Sequence, residues 1–149
     1  MVEVWRGCAL PDDVFYDLEA DVWVRIDGQS ATIGMTDVAQ TRMGRLVQLS
    51  WKAPGKSITR GRPLAVLESA KWVGPMISPL SGKIVANNRE TFESDIAAAN
   101  RDPYGAGWIY RITLDNPSEI DLLAVGATAI DYYRHIIDLE NIQCYRCVD

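Results

Sequence analysis

The 149-residue chain has the length of one domain, or of one domain with a tail, and its 48% hydrophobic content is enough for a buried core. Its net charge of -5 argues against nucleic acid as a partner, because nucleic acids select basic surfaces. No apolar run approaches the ~18 residues needed to cross a membrane, and the N-terminus lacks a signal-peptide pattern. These features predict a cytoplasmic protein with no membrane partner.

The first part of the chain combines an irregular start with a clear hairpin. Residues 1–20 predict a turn followed by a short helix that begins near Asp12 or Asp13. Residues 22–26 and 31–35 are strand-like runs on either side of an Asp-Gly turn, which is typical of a β-hairpin.

A short helix and another strand follow this hairpin. Thr36 is a good N-cap, so the pattern predicts a helix over residues 38–43 that ends at Gly44. Residues 45–51 alternate between apolar and polar side chains and predict a strand that places on one face Val47, Leu49 and Trp51.

The middle of the chain predicts a second hairpin with a lysine near its tip. Residues 63–67 suit a strand, a second strand-like run follows Gly74-Pro75, and Lys71 lies between them. A lysine in this place is either an ordinary solubilising residue or an attachment point for a covalently bound cofactor. Since the other 11 of the 15 basic residues are arginines, Lys71 is one of only four amines that could be acylated, with Lys52, Lys56 and Lys83.

Helices collect toward the end of the sequence. Residues 92–99 predict a short helix, and a last strand presents on one face Trp108, Tyr110, Ile112 and Leu114. Helices over residues 119–125, with Ser118 as N-cap, and over residues 129–139 are expected to follow. Short strands with Gly and Pro turns, plus peripheral helices, indicate a mainly β fold, either a small sandwich or a flattened barrel.

The usual catalytic patterns are missing from the sequence. His135 is the only histidine, and its apolar neighbours suit an amphipathic helix better than a catalytic triad. Cys144 and Cys147 have the C-x-x-C spacing of a redox pair or of half a zinc site, although two unpaired thiols are the simpler interpretation. Together with Cys8 they are too few and too unevenly placed for a secreted disulfide framework.

Several blocks of sequence resemble one known family. These are Thr32-Ile33-Gly34-Met35-Thr36-Asp37-Val38-Ala39-Gln40, Met43-Gly44, Pro54-Gly55, Glu68-Ser69-Ala70-Lys71, Ser78-Pro79-Leu80-Ser81-Gly82 and Asn100-Arg101-Asp102-Pro103-Tyr104-Gly105-Ala106-Gly107-Trp108. In this order they are similar to the H protein of the glycine cleavage system, over roughly residues 22–125. The resemblance implies a lipoyl/biotinyl-type hybrid β-sandwich with short peripheral and C-terminal helices.

The same resemblance implies a cofactor and its site. Lipoic acid would be joined by an amide bond to Lys71, and a lipoate ligase or lipoyl transferase would recognise Glu68 in the hairpin. The residues beside the arm would be Ser69, Ala70 and Trp72. The protein would then be a cofactor-bearing carrier and not an enzyme, with dihydrolipoyl dehydrogenase among its partners.

Some features depart from the ordinary H protein. Trp72 is a bulky residue at a position that is usually small, and the N-terminal segment and the Cys144/Cys147 tail are additional. In these respects the chain is more similar to the lipoate-binding proteins of the heterodisulfide-reductase-like sulfur oxidation system. The first expectation is therefore a carrier of a sulfur-containing intermediate, with that reductase-like complex and sulfur-transfer proteins as partners. The second is an aminomethyl carrier in glycine cleavage, which serves the decarboxylase, the aminomethyltransferase and dihydrolipoyl dehydrogenase.

The expected organisation has three parts: an N-terminal extension at residues 1–21, an H-protein-like lipoyl domain at residues 22–125, and a C-terminal helix with a cysteine-containing tail at residues 126–149. Other functions considered are a non-lipoylated scaffold and a thiol oxidoreductase that uses Cys144 and Cys147. A biotinyl carrier fits less well, since its lysine lies between methionines.

Overall fold

Two antiparallel sheets and a separate N-terminal hairpin make up most of the fold in a computed structural model, which describes residues 2–145. The N-terminal hairpin pairs β1 (Val2–Trp5) with β2 (Cys8–Pro11). The larger sheet contains, in spatial order, β3 (Phe15–Asp17), β4 (Val22–Asp27), β5 (Ser30–Met35), β11 (Tyr110–Leu114), β10 (Gly82–Asn87) and β7 (Ser57–Ile58). The smaller sheet contains β6 (Leu46–Leu49), β8 (Pro63–Ser69) and β9 (Val73–Ile77). The mainly β sandwich is thus confirmed, and its sheets stay open and do not close into a barrel.

The helices are short except for the last one. They are α1 (Asp37–Met43), α2 (Arg89–Ser94), α3 (Ala98–Arg101), a 3₁₀ helix (Pro117–Leu122) and α4 (Gly126–Leu139). The predicted N-cap of α1 is confirmed, because the Thr36 hydroxyl accepts a hydrogen bond from the Ala39 amide at 3.1 Å. Between residues 2 and 145, no helix combines the length and the apolar character that crossing a bilayer requires.

The helix expected near Asp12 and Asp13 is wrong, since residues 12–14 form a bend between strands β2 and β3. Tyr16 pairs with Trp23 of β4 on one side, and its backbone exchanges two hydrogen bonds with Ala124 on the other. Long-range pairing, which local sequence does not reveal, therefore overrides the weak helix signal of this segment.

Strand β6 also differs from its prediction. A register shift between Leu46 and Gln48 interrupts its pairing with β8. As a result Leu46 and Leu49 are buried, whereas Val47 is exposed and does not share a face with Leu49. A bulge of this kind moves side chains to the other face without a signal in the apolar pattern.

The predicted helices toward the C-terminus need three corrections. The helix expected over residues 92–99 is divided at Asp95 into α2 and α3. The helix expected over residues 119–125 is the 3₁₀ helix, and Asn116 caps it in place of Ser118. Helix α4 begins at Gly126, earlier than expected.

The core consists of two clusters. The larger one lies around the two sheets and contains residues of both, such as Ile33, Leu64 and Ile112. The second joins the N-terminal hairpin, β3 and α4, and includes Trp23 and Tyr133. Because α4 and the N-terminal strands share this cluster, both ends of the chain pack onto the same body. The boundaries at residues 21 and 125 stay predictions.

Candidate functional site

The hairpin β8–β9 presents Lys71 at its tip, as the sequence predicts. Glu68 lies opposite Val73, and the Ser69 amide donates to the Trp72 carbonyl at 2.8 Å to close the turn. Ala70, Lys71 and Trp72 are exposed. The turn therefore projects the lysine away from the sheet.

Ser69 fastens this tip to α1. Its side chain is buried, and its hydroxyl donates to the Met43 carbonyl at 2.7 Å. The Met43 carbonyl is one of those at the C-terminal end of α1 that have no partner within the helix. One hydroxyl thus satisfies a helix end and fixes the base of the hairpin tip.

Gly44, the residue after α1, makes room for the stem of Lys71. It has a φ of 87°, and a Cβ at this position would lie 2.9 Å from the Lys71 Cε. The methylene stem therefore packs against the backbone where α1 ends. Among residues 2–145, no ion pair involves the Lys71 ammonium group, so the amine is open to modification.

A groove of about 350 Å³ opens beside the hairpin tip. Its apolar wall includes Met35, Met43, Leu67, Trp72 and Met76, and its charged groups are Glu19, Asp21 and Arg42. Trp72 lines this groove while 43% of its surface is exposed. An apolar chain attached at Lys71 would have a surface of matching character next to its attachment point.

A network of charged and polar side chains connects the groove to α4 and to Glu140, the residue after it. The guanidinium of Arg42 donates to Asp21 and to Glu140, both at 2.8 Å, and the buried Tyr133 hydroxyl donates to Asp21 at 3.0 Å. Burial raises the pKa of Asp21, and the Arg42 charge and the Tyr133 hydrogen bond oppose this rise. Burial, together with the nearby Asp21 carboxylate, raises the pKa of Tyr133, which keeps that hydroxyl protonated as a donor.

Glu68 lies on the outer surface of the small sheet. Its strand neighbours are Gln48 and Val73, and its exposed carboxylate has no ion pair within the described residues. It is therefore reachable by a protein that approaches the hairpin from outside. The recognition role of Glu68 remains a prediction.

Cys144 forms a disulfide with Cys8. The expected interpretations of the C-x-x-C spacing, which are a redox pair with Cys147, half a zinc site or two unpaired thiols, therefore need correction for Cys144. The Cys8–Cys144 disulfide joins residues 136 apart in sequence, and both half-cystines are buried. Cys147 lies outside the described residues. Between residues 2 and 145, no group of three or more His, Cys, Asp or Glu side chains could hold a metal ion.

The sequence predicts a site at Lys71 and its neighbours, but it does not indicate the residues that support them. The network joins residues that are far apart in sequence, Asp21, Arg42 and Tyr133. They share no motif, so no sequence pattern predicts that they interact. The Met43-Gly44 pair did carry a sequence signal, since it forms one of the blocks that resemble the known family, and the structure explains it by the contact with Lys71.

The sequence of the chain is similar to those of known proteins. Residues 14–136 match the family model described as glycine cleavage H-protein. The chain is 42% identical to the probable glycine cleavage system H protein 2 of Sulfolobus acidocaldarius, over 96% of this chain and 97% of that protein. It is 43% identical to glycine cleavage system H protein 3 of Aquifex aeolicus, over 97% of this chain and 92% of the relative.

A solved structure supports the fold assignment. The crystal structure of a glycine cleavage system H protein from Mycobacterium marinum superposes with a TM-score of 0.69 at 28% identity, and covers 83% of this chain and 98% of that one. With the family model matching most of its length, this chain belongs to the glycine cleavage H-protein family.

Proposed function

We propose that the chain carries lipoic acid in amide linkage on Lys71 and presents it in turn to several partner proteins in the cytoplasm. Glycine cleavage H proteins are non-catalytic carriers with lipoic acid covalently attached to a lysine. The observation that carries the assignment to Lys71 is its position at an exposed hairpin tip, with its stem against Gly44 and an apolar groove beside it.

The residues around Lys71 suit a covalently held arm. When bound, a lipoyl group supplies a dithiolane whose sulfur atoms exchange with thiols or carry a group. Ser69 anchors the tip through Met43, so the attachment point stays fixed while the arm moves. A tether of this kind raises the effective concentration of the cofactor at each partner site.

A lipoate ligase or lipoyl transferase would attach the group. Glu68 is the exposed carboxylate on the hairpin, which makes it the natural recognition residue, with Ser69 and Ala70 shaping the turn. The enzyme needs an extended surface around one lysine, and the protruding hairpin offers that surface without rearrangement of the sheets.

For the cargo, we propose the aminomethyl group of glycine cleavage. The relatives above are named as glycine cleavage system H proteins. The groove also fits an amine, since the carboxylates of Glu19 and Asp21 outnumber the single guanidinium of Arg42. The partners would then be the glycine decarboxylase, the aminomethyltransferase and dihydrolipoyl dehydrogenase.

A second candidate cargo is a sulfur-containing intermediate passed between sulfur-transfer proteins and a heterodisulfide-reductase-like complex. One observation favours it. Trp72 lines the groove beside Lys71, where an apolar ring could cover a sulfur-bound arm. If it does, Trp72→Ala changes the thiol reactivity of the loaded arm, whereas Val73→Ala does not.

Intact mass spectrometry of protein from lipoate-fed cells tests the carrier assignment. The wild-type chain should show one lipoyl adduct, and Lys71→Arg should show none. An unmodified wild type, or an adduct on the variant, contradicts the assignment.

The two cargoes differ in one assay. Lipoylated protein added to glycine decarboxylase should support exchange of the glycine carboxyl carbon with bicarbonate if the cargo is aminomethyl. Absence of exchange, with a glycine-cleavage H protein as positive control, would favour the sulfur cargo.

A further inference from the structure

The disulfide between Cys8 and Cys144 lies where both ends of the described chain meet α1. The Cys144 amide donates to the Arg6 carbonyl at 3.0 Å, and the Cys144 Sγ lies 3.8 Å from the Asp37 carbonyl oxygen. On the other side, the Ala9 amide donates to the Asp37 carboxylate at 2.7 Å. The disulfide therefore joins the segments around Cys8 and Cys144 next to Asp37, the first residue of α1.

Two residues with positive φ lie near this bond. Among residues 2–145, the non-glycine residues with positive φ are Arg6, Asp21 and Asn141. Arg6 lies two residues before Cys8, in the turn that joins β1 and β2, and Asn141 lies three residues before Cys144. The Arg6 guanidinium donates to the Asn141 side chain at 2.7 Å, so the segments that carry the two half-cystines also contact each other beside the disulfide.

The opposite end of α1 contacts the lysine site. The Met43 carbonyl accepts a hydrogen bond from the Ser69 hydroxyl, and Gly44 packs against the stem of Lys71. Arg42, from the last turn of α1, bonds Asp21, which is the third residue with positive φ. A single short helix therefore connects the disulfide with the base of the Lys71 hairpin.

We propose that Cys8 and Cys144 form a second redox centre of this protein, which exchanges with a dithiol of the lipoyl class and alters the hold of α1 on the Lys71 hairpin. In the exchange, the cysteine disulfide gains two electrons and its S–S bond breaks. The dithiol loses two electrons and closes to a cyclic disulfide, and its two protons pass to the cysteine sulfur atoms. The inference rests on the proposed function only for the identity of the dithiol.

Cys144 lies on a short segment beyond α4. The tail beyond α4 is fixed by the Cys144 amide, by the Gln143 side chain on the Arg6 carbonyl, and by the Ile142 amide on Ile137. Tyr145, the next residue, is exposed. Loss of the disulfide would free Cys144 from Cys8 while the sheets stay intact, so the change would be passed on through Asp37 and α1.

The test uses free dihydrolipoamide on the unlipoylated, oxidised full-length protein without denaturant. Alkylation followed by peptide mass analysis should show Cys8 linked to Cys144 before treatment and both residues as free thiols after it. Amide hydrogen exchange over residues 37–43 and 69–72 should become about fivefold faster or more on reduction. Since neither readout needs an arm on Lys71, failure of lipoylation would leave this result standing.

Two variants serve as controls. Cys147→Ser should behave like the wild type, whereas Cys8→Ser should show the fast exchange with or without dihydrolipoamide. The proposal is wrong if the two thiols appear only after denaturation, if the oxidised protein links Cys144 to Cys147, or if reduction leaves the exchange of residues 37–43 and 69–72 unchanged.

Discussion

At the scale of single residues, Gly44 shapes the site because it has no side chain. Gly44 ends α1 with a φ of 87° and leaves its Cβ position to the stem of Lys71. Any other residue would meet two separate penalties there, a backbone conformation with a ψ of -173° that is essentially restricted to glycine, and the contact with Cε. A glycine at this position thus decides the path by which the lysine leaves the surface.

Gly44→Ala should lower the free energy of unfolding by about 1–3 kcal/mol from the backbone term alone, with a further loss from the contact at Lys71. Gly61→Ala is the matched control, because Gly61 has a φ of 85° and nothing within 4 Å of its Cβ position. Urea unfolding of both variants separates the two penalties. Equal losses would show that the Lys71 contact costs nothing.

Asp21 gives a pH-dependent prediction. Its pKa is raised above 3.8 in the folded protein by burial, so between 3.8 and the raised value the native state binds more protons than the unfolded state. The contribution of this group to stability therefore falls as pH rises through that window. Asp21→Asn tolerates the φ of 57° and can still accept from Tyr133, but it does not titrate.

Urea unfolding of the wild type and Asp21→Asn over a pH series checks this assignment. The difference in unfolding free energy should move in favour of the variant as pH rises from about 3.8, the ordinary value for an aspartate. A difference that stays constant with pH would show that burial does not raise the pKa of this carboxyl group.

At the scale of elements, α1 is the part that organises the site. Thr36 caps its start, and the Met43 carbonyl at its end accepts a hydrogen bond from the Ser69 hydroxyl of the hairpin. The helix has only seven residues, too few to be stable alone, so these contacts determine its position. The hairpin and α1 therefore support each other.

Ser69→Ala should destabilise the protein by about 1–3 kcal/mol, because the Met43 carbonyl loses a buried donor. Hydrogen exchange at the hairpin tip should rise as well. Ser50→Ala is the control, since Ser50 accepts a hydrogen bond from Val66 at an exposed position where water can replace it. Equal destabilisation by both changes would argue against the anchoring role of Ser69.

Elements with local signals were predictable, and those set by distant partners were not. Turn and cap residues predict the cap at Thr36, the turn near Lys71 and the strands of the β4–β5 hairpin. Strand β3 was missed because Trp23 and Ala124 create its pairing, and the exposure of Val47 was missed because a bulge creates it. The sequence located the lysine but not Asp21 or Cys8, whose roles depend on residues more than 100 positions away.

At the scale of the whole molecule, the disulfide is the one covalent cross-link within the described residues, and it joins positions 136 apart in sequence. In the chain-entropy model, closing a loop across 136 residues stabilises the fold by restricting the unfolded chain. Cys8→Ser should therefore lower the free energy of unfolding by about 2–5 kcal/mol, measured by urea unfolding under oxidising conditions. Cys147→Ser should leave it unchanged. Equal stability of Cys8→Ser and the wild type would show that the disulfide does not restrict the unfolded chain.

The Cys8–Cys144 bond also turns residues 8–144 into a covalent ring, with the Lys71 hairpin nearly midway around. A protease that cuts the exposed tip would open the backbone without separating the two halves. Such a nicked carrier would keep its full mass, apart from one added water, until a reductant released the fragments. Electrophoresis with and without reductant would therefore report breakage at the hairpin and the state of the disulfide in the same experiment.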